Sequence, residues 1–272
     1  MRIGLRRFVF VGAALFLTTL ACAGERVVDI PTREGVTQRF LFIAAPGAQA
    51  AAILFAGGHG GLQMSDTGAL QWGHGNFLVR SAPLFASRGI AVAVVDAPSD
   101  RQAPRYLGGF RQSAEHAADV KALIAWLREH TRAPVWLIGT SRGTQSAAGA
   151  AVRLAETGGG PDGLVLTATI VHDTRGRPVT DMALERLRIP VLVVHHEEDA
   201  CRQTLYRDVP PLMARLSATP RKELLAFRGG DNQGEACAGR AHHGFNGLEE
   251  EVVTKIAAWI TVKPGAIESR RP

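Results

Sequence analysis

Aromatic residues are scarce here, at 6% of 272 residues, so the 46% hydrophobic content must pack as aliphatics and alanine. That content is ample for the core of one domain and excludes disorder as the default. The chain has no internal repeat, no low-complexity linker and no sustained heptad, which points to a single domain and gives no reason to invoke a helical partner. Charge of one sign is also missing. Residues 1 to 23 hold three arginines and no acid, so without them 28 basic residues face 25 acidic ones, a formal charge of +3 where the whole chain carries +6. An excess that small and evenly spread excludes a nucleic-acid partner.

The apolar stretch Phe8 to Leu20 is short for a membrane span. Arg2, Arg6 and Arg7 precede it and Ala21-Cys22-Ala23 follows, so residues 1 to 23 read as a secretory signal with the mature chain starting near Gly24. Stable membrane insertion is not expected after cleavage, and the location is periplasmic or secreted. Two other routes are weighed: lipidation at Cys22 and twin-arginine export. Cleavage leaves Cys201 and Cys237 in a compartment where disulfides persist, and they are expected to pair. Two unpaired buried thiols are the alternative.

Alternation in Arg26 to Ile30 and Gln38 to Ile43 predicts an antiparallel hairpin. Continuous apolar runs of doubly buried strands follow at Ala51 to Ala56, Ile90 to Val95, Val135 to Ile138, Leu164 to Ile170 and Val191 to Val194. A last strand is expected at Glu223 to Phe227. Helical patterns at Ser113 to His130, Thr144 to Ala155, Val209 to Leu216 and Leu248 to Ile260 separate them, with a short helix at Asp181 to Arg188. The expected fold is α/β: eight strands, mostly parallel, with helices on both faces. It spans residues 24 to 262, and 263 to 272 form a tail. Too few residues separate the sixth and seventh strands for a lid. Residues 57 to 88 are expected to be irregular and to wall the site.

The chemistry centres on Gly139-Thr140-Ser141-Arg142-Gly143, which follows a strand and precedes a helix. Turning a strand into a helix within two residues strains the serine backbone and requires glycine two positions either side. A serine nucleophile needs a base, and the base needs a carboxylate to fix its tautomer. After the seventh strand the chain reads His195-His196-Glu197-Glu198-Asp199-Ala200-Cys201; after the eighth comes His242-His243-Gly244-Phe245. The chain order is serine, acid, histidine.

In this order of elbow, acid and histidine the sequence resembles the α/β-hydrolase superfamily over essentially its whole mature length. It is similar to cap-less, secreted members of the dienelactone-hydrolase-like kind, whose histidine commonly lies in His-Gly-Phe. Serine in place of cysteine departs from dienelactone hydrolase itself. The resemblance implies Ser141 as nucleophile, Asp199 as acid and His243 as base. Glu198 and Asp173 stand as alternative acids and His242 as the alternative base. One oxyanion amide is expected from Arg142, the other from the loop Gly57-Gly58-His59-Gly60-Gly61, at His59 with Gly58 next in line. That loop lacks the lysine and spacing of a P-loop, which excludes nucleotide.

Arg142 opposes the helix dipole. It either pairs with a carboxylate, Asp96 being the candidate, or faces an anionic substrate. A Cys201–Cys237 bridge would tie the acid loop to the base loop. The expected function is a serine hydrolase of the carboxylesterase kind that cleaves a small-molecule ester or related acyl bond through an acyl-enzyme, with no cofactor. Two rivals are a catalytically inactive binding protein on the same scaffold, with Ser141 merely capping a helix, and a metal site. The metal would draw on His195, His196, Glu197, Glu198, Asp199, His242 and His243. The substrate's identity and the oligomeric state are not legible.

Overall fold

The computed structural model describes residues 24–262; the expected leader, with Cys22, and the expected tail 263–272 lie outside the described residues. One sheet contains β1 (Glu25–Arg33), β2 (Val36–Ile43), β3 (Ala50–Phe55), β4 (Ile90–Val95), β5 (Val135–Thr140), β6 (Gly163–Thr167), β7 (Val191–His196) and β8 (Lys222–Phe227). Their spatial order is β1-β2-β4-β3-β5-β6-β7-β8. The β1–β2 and β2–β4 pairs are antiparallel and every pairing from β4 to β8 is parallel. All eight expected strands are present.

The continuous apolar runs are explained by burial on two faces. In β3, Ala51, Ile53 and Phe55 pack into one core and Ala52 and Leu54 into the other; β5 divides Val135 and Leu137 from Trp136 and Ile138 in the same way. The first core is closed by α2 (Ala114–Thr131), α3 (Gly143–Thr157) and α4 (Val209–Arg215), the second by α1 (Phe77–Ala86) and α5 (Glu249–Thr261).

Three elements differ from expectation. Helix α1 lies inside the stretch read as irregular. Asn76 caps it by accepting from the Leu78 N–H at 3.2 Å, and its internal Pro83, with the glycines before it, hides the pattern. Strand β6 stops at Thr167 because Ala168 takes a left-handed φ of 44°, which turns the chain out of the sheet. Between β6 and β7 two short 3₁₀ turns, Val179–Asp181 and Leu184–Arg186, replace the single helix expected at Asp181 to Arg188. No lid lies there among the described residues.

Candidate active site

Ser141 sits directly after β5 with a φ of 51°, in the left-handed region that a non-glycine residue occupies only under constraint. The constraint is close packing. A Cβ on Gly139 would lie 2.4 Å from the Gly143 carbonyl oxygen, and one on Gly143 would lie 2.0 Å from that of Phe55. Both positions therefore admit only glycine, and the strain expected from the spacing is present at the serine between them.

His243 and Asp199 come from separate loops. His243 lies in the 3₁₀ turn His242–Gly244 after β8, and its Nδ1 is 2.9 Å from Asp199 Oδ2. The Asp199 side chain is fully buried after β7, and its other oxygen accepts the Cys201 N–H at 2.9 Å. With the carboxylate charged, the imidazole proton sits on Nδ1, which leaves Nε2 with a lone pair. Nε2 is buried without a hydrogen-bond partner among the described residues. His243 and Ser141 line the same cavity of about 260 Å³, along with Gly57, Gly58, Trp72 and Cys237. A strained hydroxyl and an imidazole lone pair in one small cavity are the parts that proton abstraction requires.

Thr204 went unnoticed in the sequence. Its hydroxyl donates to Asp199 Oδ2 at 2.8 Å and lies 3.1 Å from His243 Nδ1. A threonine five residues beyond the acid carries no signal until the loop folds back. Cys201 and Cys237 form the expected disulfide, with Cα atoms 4.7 Å apart.

The alternative acids lie elsewhere. Asp173 is a partner of Arg142, at 2.8 and 3.1 Å to its two guanidinium nitrogens. The pairing expected for Arg142 is thus made, but with Asp173 in place of Asp96. The Asp96 carboxylate is taken up by the backbone N–H groups of Leu62, Met64 and Ala97 at 2.6 to 2.8 Å, and of Gln63 at 3.2 Å. Glu198 lies 4.0 Å from His242, and the His242 ring stacks on His196.

His196, Glu198 and His242 offer metal-ligand atoms within 4.8 Å of one another. The first is already committed: its Nε2 meets the Gly229 carbonyl at 2.9 Å and its Nδ1 accepts the Glu198 N–H at 3.1 Å. With its rings stacked and both His196 nitrogens occupied, this cluster does not converge on an ion.

The loop after β3 runs between two cavities, with Gly58 lining both. Gly57 and Gly58 face the nucleophile cavity, and a Cβ on Gly57 would lie 3.0 Å from Ser141 Cβ. The His59 side chain packs on aromatic residues. Its ring is stacked between Trp72 and Tyr106, at 3.9 and 4.5 Å between centroids, and it borders a second cavity. Behind the loop is Arg111, also unnoticed in the sequence. It is buried and donates to Ser146 Oγ at 2.9 Å and to the carbonyls of Ala56 and Gly58 at 3.2 and 3.1 Å.

The topology and the site's placement define the α/β-hydrolase fold without a lid. Neither a family model nor a curated protein matches the sequence. Solved structures do match. An esterase of Pyrococcus furiosus, Pf2001, is 14% identical with a TM-score of 0.60, over 88% of this chain and 91% of its own. A dienelactone hydrolase of Anabaena variabilis is 16% identical with a TM-score of 0.57, over 88% and 96%. XC6422 of Xanthomonas campestris, described as a serine hydrolase without a lid, is 17% identical with a TM-score of 0.54, over 90% and 98%. At such identities the likeness establishes the fold, and the chemistry has to be argued from the residues.

Proposed function

We propose that this protein is an exported serine hydrolase that cleaves a small-molecule ester or related acyl bond. The observation that carries this is the buried Asp199–His243 pair, whose Nε2 has no partner among the described residues and whose histidine lines the same cavity as the strained Ser141. Ser141 Oγ attacks the acyl carbon and its proton passes to His243 Nε2. Asp199 stabilises the resulting imidazolium through Nδ1–H. The proton then goes to the departing alcohol, leaving an acyl-enzyme. Water attacks the acyl carbon by the same route in reverse and frees the acid and Ser141.

The tetrahedral oxyanion is held by the Arg142 N–H, at the head of α3, and by an amide of the loop after β3. His59 supplies that amide, with Gly58 next in line. Arg111 donates to the carbonyls of Gly58 and Gly57 at 3.1 and 3.4 Å, and in trans peptides the N–H across each bond, that of His59 and of Gly58, turns the other way. Export is supported by the cysteine bridge and by the sequence of residues 1 to 23. Among the described residues no helix is long and apolar enough to cross a membrane.

The test is intact-mass labelling of the oxidised mature protein with a fluorophosphonate. One adduct that is lost in Ser141→Ala is expected. Absence of an adduct in folded protein would overturn the hydrolase reading in favour of a binding protein on this scaffold.

A further inference from the structure

A second cavity, of about 670 Å³, adjoins the nucleophile cavity and shares Gly58 with it. Its walls carry five arginines, Arg105, Arg111, Arg142, Arg175 and Arg177, against one carboxylate, Asp173. That carboxylate is already saturated. It accepts both guanidinium nitrogens of Arg142, Gln145 Nε2 at 2.9 Å and the Arg175 N–H at 3.0 Å, and its side chain is fully buried. The remaining positive charge has nothing of opposite sign to answer it: among the described residues, no carboxylate pairs with Arg105, Arg111, Arg175 or Arg177.

Arg111 makes the imbalance costly. Its guanidinium is buried and its partners are a hydroxyl and backbone carbonyls, all neutral. An ion held away from water without a counter-ion gives up hydration that neutral partners only partly replace. Burial, with the charge of Arg142 nearby, pushes its pKa down to about 9. The other three lie exposed around the opening. Arg105 is held there at a φ of 87° and Tyr106 beside it at 39°, two consecutive strained residues of the kind that gather where a ligand is gripped. Guanidinium forks match the paired oxygens of carboxylate and phosphate groups.

We infer that this cavity binds an anionic group, carboxylate or phosphate, belonging to the substrate whose ester is cleaved at Ser141. The inference names the substrate class of the proposed hydrolase and rests on that reading. The neutral acyl carbon occupies the small cavity, and the charged end of the molecule passes Gly58 into the larger one. Field lines from arginines around a cleft also draw anions in, so the preference weakens as salt rises.

The experiment compares three 4-nitrophenyl esters at low salt: the butyrate, the monoester of glutaric acid and the ester of 3-phosphonopropanoic acid. The expected kcat/KM for one or both anionic esters exceeds that of butyrate by about 100-fold. In the Arg105→Ala/Arg175→Ala protein this ratio drops about tenfold or more, the scale of one or two lost charge-assisted hydrogen bonds. The two anionic esters separate carboxylate from phosphate. A ratio near one in the wild-type protein, with Ser141 still labelled by fluorophosphonate, overturns the inference and leaves the hydrolase intact. Calorimetry of glutarate and of 3-phosphonopropanoate binding to Ser141→Ala tests the cavity without turnover. Binding that weakens in the double arginine variant upholds the cavity even if no ester is hydrolysed, and absence of binding at millimolar concentration counts against it.

Discussion

Asp199 and Asp173 invite comparison. Each follows a central parallel strand, each side chain is fully buried, and each binds one basic side chain at 2.8 to 2.9 Å. They differ in the partner. Asp199 holds an imidazole, whose second ring nitrogen has a lone pair, whereas Asp173 holds a guanidinium, which has only donors. On the proposed mechanism a carboxylate orients a base in one loop, and in the other it anchors the first turn of α3. Burial and proximity alone do not mark a catalytic acid. The proton affinity of its partner does.

The sharpest way to break the comparison is to neutralise each carboxylate. Asp199→Asn is expected to lower kcat by about 10⁴-fold, because the imidazole loses its tautomer and its counter-charge. Asp173→Asn is expected to keep kcat within about tenfold while costing about 3 kcal/mol of stability, since Arg142 is left unpaired. Steady-state kinetics and urea unfolding on both variants measure this. If the two kinetic effects were reversed, Asp173 would be the acid.

Reduction of the disulfide strikes only one side of the comparison. Cys201 lies two residues from Asp199, and Cys237 lines the nucleophile cavity, 36 residues away in sequence. The bridge restricts the unfolded chain by about 4 kcal/mol on the loop-entropy account, and it also sets the acid loop against the base loop. Turnover should fall at least tenfold at a temperature where circular dichroism still reports a folded protein. Unchanged turnover after thiol titration shows complete reduction would mean that the loops hold their geometry unaided.

What was legible in the sequence divides along the same line. Ser141 and its glycines could be read because the constraint is local: five residues between a strand and a helix. Asp199 and His243 could be read from chain order, since parallel strands deliver their loops to one edge of the sheet. The partner of Arg142 could not be read, because Asp173 is 31 residues away and only the packing of the β6 loop on α3 brings it close. The depth of the loop after β3 was also hidden. Whether Gly58 or His59 faces the serine depends on how closely the backbone approaches Ser141, and on Arg111 reaching across to the carbonyls. Glycine composition alone carries neither fact.

Acid separates the two carboxylates in another way. His195, at the end of β7 before the Asp199 loop, is fully buried and accepts the Thr169 N–H at 2.9 Å. Burial pushes its imidazole down to about 4, against the pull of Asp199. The unfolded chain protonates a histidine near 6.5, so between that pH and about 4 the unfolded state binds more protons. Stability from this group is complete above 6.5 and declines as pH falls, by up to about 1.4 kcal/mol per pH unit. His116, buried against Phe55 and Phe110 and pushed to about 3, adds to the same slope.

Asp173 acts with the same sign but in a more acidic window. Burial would raise its pKa, but hydrogen bonds from Arg142, the Arg175 N–H and Gln145 outweigh that and hold it below the ordinary value. Its contribution is present above the ordinary carboxylate range and is lost only as pH drops below it. Urea unfolding from pH 5 to 7 should therefore show a slope that His195→Gln flattens and Asp173→Asn leaves unchanged. A slope indifferent to His195 would place the proton uptake elsewhere.

The smallest expected effect falls on Thr204, whose place at Asp173 is taken by the Gln145 amide. Its hydroxyl donates to the same Asp199 oxygen that His243 approaches, and it lies within reach of Nδ1 itself. This threonine restrains the carboxylate without carrying charge, so it acts as a positioning residue. Thr204→Val keeps the shape and removes the hydrogen bond, worth about 1 kcal/mol. If the bond matters mainly for orientation, kcat falls about tenfold with KM nearly constant, while Thr204→Ser, which retains the hydroxyl, recovers most of the rate. A loss of stability in Thr204→Val with kcat unchanged would mean that Asp199 is fixed by the Cys201 amide alone, and that the hydroxyl merely fills a buried position beside the pair.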